Sequence, residues 1–163
     1  MSVITISGLQ RITASKLAEM LLASANPPSP EAKIAIVDVR DDDHIGGHIK
    51  SSLHFPSRSL DATMPTLLRK LADKEIVIFH CALSQQRGPS AALRYLREKE
   101  AASAAAAAVK RASEKKEAEH EGGAAKQQQV YVLDRGFVGW QEAYGPDERL
   151  TEAYRKELWE DGY

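Results

Sequence analysis

Hydrophobic residues follow two alternating patterns along the chain. Short runs rich in β-branched and other apolar residues occur at Ile34 to Val39, Glu75 to Phe79 and Gln129 to Leu133. Such runs suit strands covered on both faces of a sheet. Between and before them the spacing becomes helical. Lys16, Leu17, Met20 and Leu21 follow Thr13, a suitable N-cap, and this helix is expected to end near Ala25 and Asn26, stopped by Pro27 and Pro28. A second helix is expected around Met64 to Leu71. A third follows Gly88, where Pro89 suits a first helical position and Ala92, Leu93 and Leu96 give an apolar face. The order β-α-β-α-β needs crossovers between parallel strands, so the predicted class is α/β, a central mostly parallel sheet with helices on both faces. Leu150 to Trp159 reads as a short amphipathic helix packed on the domain.

One stretch, about 99–129, departs from this pattern. Ala101 to Ala108 with a single Ser is followed by Lys110-Arg111, Lys115-Lys116, Glu117, Glu119, Glu121, Gly122-Gly123 and three Gln, with few large apolar groups to bury. Its composition favours an exposed extension of the preceding helix, a break near Gly122 and a flexible return to the last strand. It is read as a solvated insert in a single domain spanning 1–163, since the remainder is of ordinary size for one core.

Charge narrows the function classes. Lys plus Arg is 22 against 23 for Asp plus Glu, a net charge of -1, so no global basic field argues for nucleic acid or anionic lipid as a partner. The first residues lack a basic, apolar leader pattern and no run approaches a membrane span, so the expectation is a soluble cytoplasmic protein, nuclear location also being compatible, and a monomer or weak oligomer. A single cysteine excludes an internal disulfide and a resolving cysteine on the same chain, and fits a reducing compartment.

That cysteine carries the candidate chemistry. It lies in His80-Cys81-Ala82-Leu83-Ser84-Gln85-Gln86-Arg87-Gly88-Pro89, between a strand pattern and a helix start. A strand feeding a loop that feeds a helix aims main-chain N–H groups at one point, where an oxyanion can sit. A phosphoryl-type anion held there faces the Cys81 sulfur, while Arg87 offers a planar fork of donors to its equatorial oxygens. The helix N-terminus and the guanidinium both favour thiolate, the nucleophilic form, over thiol. Cys81 and Arg87 are therefore the candidate catalytic residues, Ala82, Leu83, Ser84, Gln85, Gln86 and Arg87 the oxyanion-binding loop, and His80 a supporting residue. Cysteine-to-arginine spacing alone is weak; its coincidence with the preceding His, the following Gly-Pro, the strand and the helix makes the pattern specific. The plainer alternative is a buried structural thiol at a strand end.

The loop resembles the HCxxxxxRGP signature of the rhodanese-fold cell-cycle phosphatases, the M-phase inducers, and of their short single-domain plant and fungal relatives, some of which reduce arsenate. Ile36-Val37-Asp38-Val39-Arg40 followed by Gly47-His48-Ile49-Lys50-Ser51-Ser52-Leu53-His54 is similar to a further rhodanese segment, and Gly136-Phe137-Val138-Gly139-Trp140 to the close of that fold. The resemblance runs from about Ile12 to about Tyr144, apart from the insert, and implies a rhodanese-like fold. Two departures matter. Ala82 stands where the larger M-phase inducers typically have an acidic residue, so no loop carboxylate can act as general acid. Gly88 replaces the Ser or Thr that follows Arg in ordinary tyrosine phosphatases, removing that hydroxyl's assistance.

Other polar residues have simpler readings. His44, His48 and His54 match no metal-ligand spacing, and no metal is expected. The resemblance implies that His48 fixes its loop by a backbone hydrogen bond. Asp38 and Arg40 could serve as proton donor and anion ligand, but the resemblance favours a structural ion pair behind the loop. Asp41, Asp42 and Asp43 read as a solvated turn. His80 either tunes the nucleophile's protonation or is a strand-end residue satisfied by backbone. Phe137 and Trp140 read as core, or the rim of the pocket.

Three chemistries can use this loop. A phosphoprotein ester can be hydrolysed through a phosphocysteine, making the protein a tyrosine or dual-specificity phosphatase with no cofactor. Arsenate can take the phosphate's place, with glutathione and glutaredoxin supplying electrons because no second cysteine is present. A persulfide on Cys81 would make it a sulfurtransferase, although that branch typically has a loop one residue shorter. A general acid is not assigned; Asp134, water or a group on the substrate all remain open.

Overall fold

The computed structural model describes residues 5–24, 33–113 and 128–160. The central sheet is formed by β1 (Gln10–Ile12), β2 (Ile34–Asp38), β4 (Leu53–His54), β5 (Ile76–His80) and β6 (Gln129–Leu133). All its pairings are parallel, in the order β1-β6-β5-β2-β4. The sequence predicts β2, β5 and β6 to within a residue. It misses edge strands β1 and β4, which are too short to show a period. It also misses a two-stranded antiparallel ribbon joining β3 (His48–Ile49) to β7 (Thr151–Glu152).

Alternation along the strands divides the interior into two layers. Val37, Phe79 and Val132 stand in register and face α2 (Leu60–Leu71) and α3 (Arg87–Ser113), meeting Met64, Leu67, Leu71, Ala92 and Tyr95. Ile36 and Ile78 face the other way, onto Leu17 of α1 (Ala14–Ser24) and Phe137 and Trp140 of α4 (Gly136–Tyr144). Both faces of β2 and β5 are thus covered, which accounts for their unbroken apolar composition.

Helix boundaries follow local chemistry. Thr13 caps α1, its hydroxyl accepting from the Lys16 N–H at 3.1 Å. The stop at Pro27-Pro28 and the break near Gly122 lie outside the described residues. Helix α2 starts at Leu60, earlier than predicted, and carries Pro65 inside it. Helix α3 starts at Arg87, so Pro89 is its third residue rather than its first; Pro89 still lies among the N-terminal positions whose N–H groups lack an intrahelical partner. The helix continues to Ser113, with residues 101–105 exposed.

The carboxyl-terminal stretch is not the single helix predicted over Leu150 to Trp159. Leu150 is buried, Thr151 and Glu152 form β7, and only Lys156–Glu160 is helical, as α5. Tertiary hydrogen bonds override the periodicity: the Thr151 hydroxyl accepts from the Trp140 indole N–H at 2.9 Å and donates to the Tyr144 carbonyl at 2.7 Å.

Behind the end of β2 lies a fully buried ion pair. Arg40 Nη2 is 2.7 Å from Asp38 Oδ2 and also donates to the Gly47 carbonyl at 2.9 Å, while its guanidinium lies over the Phe137 ring. Asp38 and Arg40 are thus the structural pair that the resemblance implied. Burial opposes the charge on Asp38, but His80 and Arg40 outweigh it and hold the carboxyl at about 2. His80 is completely buried, and that burial pushes its own pKa down, so the permanent Arg40 charge is what sustains the Asp38 carboxylate at neutral pH. His44, stacked on His54 and 3.5 Å from Asp38 Oδ2, is pushed by burial to about 4.

Helix α4 reaches the cysteine loop through its first amides. The Phe137 N–H donates to the Cys81 carbonyl at 3.0 Å and the Val138 N–H to the Ala82 carbonyl at 2.9 Å. Gly136, at φ 57°, makes this approach feasible: a Cβ there would lie 2.5 Å from both carbonyl oxygens.

Gly136→Ala is accordingly expected to lower stability by about 1–3 kcal/mol and to displace the loop, measured by denaturant titration and by Cys81 alkylation rate. Wild-type values for both would refute the role given to α4. For pH, His44 and His80 take up protons more readily unfolded than folded. Stability should therefore decline as pH falls from about 6.5 towards 4. The Asp38 contribution, complete above about 4, disappears only as pH falls through about 2. Urea midpoints at pH 7.5 and 5 check the first window; His44→Gln should flatten the decline, and equal wild-type midpoints would contradict it.

Candidate active site

Cys81 follows the last residue of β5, at the carboxyl-terminal edge of the sheet, where open α/β folds place their chemistry. Residues 82–86 form the bend between strand and helix, and α3 begins at Arg87. Gly88 lets the first turn of α3 lie against the strand end: a Cβ there would meet His80 Cα at 3.3 Å.

The loop curls back on the sulfur. Ser84 adopts φ 57° and its backbone N–H points at Cys81 Sγ, 3.2 Å away. Cys81 is only 3% exposed, yet it lines a hollow of about 150 Å³ together with Ala82, Leu83, Gln85, Gln86 and Arg87. Leu83 stands at the rim, 48% exposed. Of the predicted loop residues, only Ser84 turns its side chain away, into the interior. There its hydroxyl has no hydrogen-bond partner among the described residues, so Ser84 offers its main chain rather than its Oγ to the sulfur. His80 sits beneath the loop, Nδ1 3.0 Å from the Cys81 carbonyl. With that carbonyl accepting, the proton lies on Nδ1, and Nε2 is left 3.7 Å from Asp38 Oδ2. It belongs to the support of the loop and does not line the hollow.

Arg87 is held by the acidic turn. Its Nη1 and Nη2 donate to the two carboxylate oxygens of Asp43 at 2.8 and 2.6 Å, and Nη1 also reaches Asp41 Oδ2 at 3.3 Å. The reading of Asp41, Asp42 and Asp43 as a solvated turn is therefore corrected. Asp42 is exposed and pairs with Arg58, whereas Asp41 and Asp43 grip the arginine. Hydrogen bonds from Arg87 hold the Asp43 carboxyl down at about 2. Asp41 is also lowered: slight burial opposes its charge, but the Ser57 hydroxyl, the Arg58 N–H and Arg87 prevail. The contact follows from strand register rather than from any local sequence signal. In a parallel pairing of β2 with β5, Asp38 lies opposite His80, which brings residues 41–43 to the level of the cysteine loop.

Arg11 has no counterpart in the sequence reading. Its Nη2 donates to the Ser84 carbonyl at 3.2 Å and its Nη1 to Asp134 at 3.4 Å, so β1 supports the far side of the loop. His48 bonds the Glu152 carboxylate at 3.1 Å across the β3–β7 ribbon, rather than a backbone group as the resemblance implied. Beyond Gln86 and Arg87 the hollow adjoins a wider groove of about 360 Å³ between α2 and α3, bordered by Ser57, Asp61, Ser90 and Arg94. Arg94 is paired there with Asp61 and Glu98.

Known proteins share both sequence and shape with this chain. A family model described as a rhodanese-like domain matches residues 14–143. Arsenate reductase 2.1 of Oryza sativa subsp. japonica is 37% identical over 87% of this chain and 73% of its own length. The Cdc25-like phosphatase YCH1 of Saccharomyces cerevisiae is 36% identical over 76% of each chain. A crystal structure of Saccharomyces cerevisiae Ygr203w, described as a homolog of single-domain rhodanese and of the Cdc25 phosphatase catalytic domain, superposes with a TM-score of 0.68. That match is 30% identical and covers 98% of this chain and 97% of the other. An As-Sb reductase from Leishmania major gives 0.62 at 26% identity, over 86% and 81% of the two chains. Across the sheet, the loop at its carboxyl edge and the matched span, the chain belongs to the rhodanese-like domain family.

Proposed function

We propose that this protein is a cysteine-dependent phosphatase of the tyrosine or dual-specificity type, acting through a phosphocysteine on Cys81. The single observation that carries the reading is the Ser84 N–H aimed at Cys81 Sγ, at the base of a hollow that Arg87 also lines. The thiolate is the nucleophilic form of cysteine. In the first step the thiolate attacks phosphorus in line, an S–P bond forms, and the P–O bond to the leaving group breaks. Arg87 binds equatorial oxygens and stabilises charge during transfer. In the second step water attacks the phosphocysteine, inorganic phosphate leaves and the thiolate returns. Asp41 and Asp43 are unsuited to protonate the leaving oxygen, since their pKa values are lowered. That proton comes from solvent, the substrate or a more distant acid. The groove beside Arg87 offers room for the part of the substrate beyond its phosphoryl group.

A second reading, arsenate reduction, is favoured by similarity to the rice and Leishmania reductases. Arsenate would form an adduct with Cys81, and glutathione with glutaredoxin would supply the two electrons that take As(V) to As(III), since the chain has no second cysteine. Sulfur transfer ranks third. The substrate class common to the first two readings is a phosphoprotein or small oxyanion, and no helix among the described residues is long and apolar enough to cross a membrane.

The purified protein is expected to hydrolyse p-nitrophenyl phosphate, with inhibition by vanadate. Cys81→Ser should lower kcat by at least about a thousandfold while circular dichroism stays unchanged. Arg87→Lys, which loses the planar fork but keeps the charge, should lower it by about a hundredfold. Absent hydrolysis with arsenate-dependent glutathione oxidation through glutaredoxin would transfer the assignment to the reductase. Rapid sulfur transfer from thiosulfate to cyanide would transfer it to the sulfurtransferase.

A further inference from the structure

We infer that Asp43 is a positioning residue that sets the orientation in which Arg87 meets a tetrahedral oxyanion. This rests on the reading that Arg87 binds the substrate's oxyanion. A guanidinium carries five N–H groups in one plane, and its two useful edges are the end, formed by both terminal nitrogens, and the side, formed by Nε and one terminal nitrogen. Asp43 occupies the end edge with both oxygens, at 2.8 and 2.6 Å. Asp41 engages Nη1 again, at 3.3 Å. Among the described residues, no acceptor is bonded to Nε. The side edge, Nε with the second hydrogen of Nη2, is therefore the fork left to receive two oxygens of a bound anion.

The carboxylate itself is anchored, which separates a positioning device from a casual ion pair. Asp43 Oδ1 accepts from the Asp41 N–H at 2.9 Å, and the turn is closed by the His44 N–H on the Asp41 carbonyl at 3.2 Å. Asp41 is fixed in turn to the segment before α2, accepting from the Ser57 hydroxyl at 2.6 Å and the Arg58 N–H at 2.9 Å. Arg87 thus spans from the first turn of α3 to a scaffold tied to both β2 and α2. A long, flexible side chain held at its far edge loses less rotamer freedom when substrate binds, and the near edge arrives already aligned.

The test uses the full chain with Asp43→Ala, Asp43→Asn and Asp43→Glu, and with Asp42→Asn as a control on the neighbouring carboxylate. The readouts are orthovanadate inhibition, kcat on p-nitrophenyl phosphate and thermal midpoint. Asp43→Ala is expected to raise the vanadate inhibition constant and lower kcat, each by about tenfold or more, with Asp43→Glu restoring a good part of both and Asp42→Asn unchanged. Asp43→Asn, which retains one acceptor, should fall between Ala and wild type and keeps the test decisive if the alanine variant is poorly folded. Vanadate binding as tight as or tighter than wild type in both Asp43→Ala and Asp43→Asn would overturn the inference, marking Asp43 as inert or as a competitor for the arginine. Failure of the functional reading looks different: wild-type protein would ignore vanadate, or Arg87→Ala would leave vanadate inhibition untouched, and the positioning role would fall with it.

Discussion

The parallel pairing of β2 with β5 is the constraint on which the site depends. With Ile36 beside Ile78 and Asp38 beside His80, the two strands end at one level, so whatever follows them in sequence meets in space. After β5 comes the cysteine loop, and after β2 the acidic turn. A shift of one residue would carry Val37 or Phe79 into the layer that Ile36 and Ile78 fill, mismatching side-chain shapes on both faces of the sheet, so close packing fixes the register. The same apolar contacts that hold the sheet together therefore decide that Asp43 faces Arg87.

The loop is held from several directions through its main-chain carbonyls. The first amides of α4 bind the Cys81 and Ala82 carbonyls, the Val39 N–H binds the His80 carbonyl at 2.9 Å, and Arg11 binds the Ser84 carbonyl. With these carbonyls tied down on the outside of the loop, the Ser84 N–H turns to the Cys81 sulfur. Gly136 admits a close approach that a side chain would block, and Gly88 eases a tight one. The Asp38–Arg40 pair does comparable work one layer below. Its charges are fully desolvated, but each finds several partners, and the arginine carries the connection onward to the Gly47 carbonyl.

Electrostatically the site combines an uncharged loop with a cation that is already partnered. Arg87 faces two carboxylates rather than standing alone, so its value lies in directed donors more than in net positive field. That arrangement accords with a chain whose overall charge is close to neutral.

The three inner strands, the helices between them and the position of Cys81 and Arg87 around one loop were legible in the amino-acid sequence, because each is encoded locally: apolar runs, a threonine cap, and a motif of adjacent residues. Elements that draw their stability from partners distant in the chain were not. Strands β3 and β7 hold two residues each and exist through each other, and Thr151 left its expected helix for hydrogen bonds with Trp140 and Tyr144. Asp41 and Asp43 looked like solvated charges because the adjacent Arg40 is taken up by Asp38 and their own cation arrives from more than forty positions away. The chain's own residues thus specified the cysteine and arginine of one loop, while tertiary packing alone decided how that arginine is aimed, since long-range register is what brings two separate loops together.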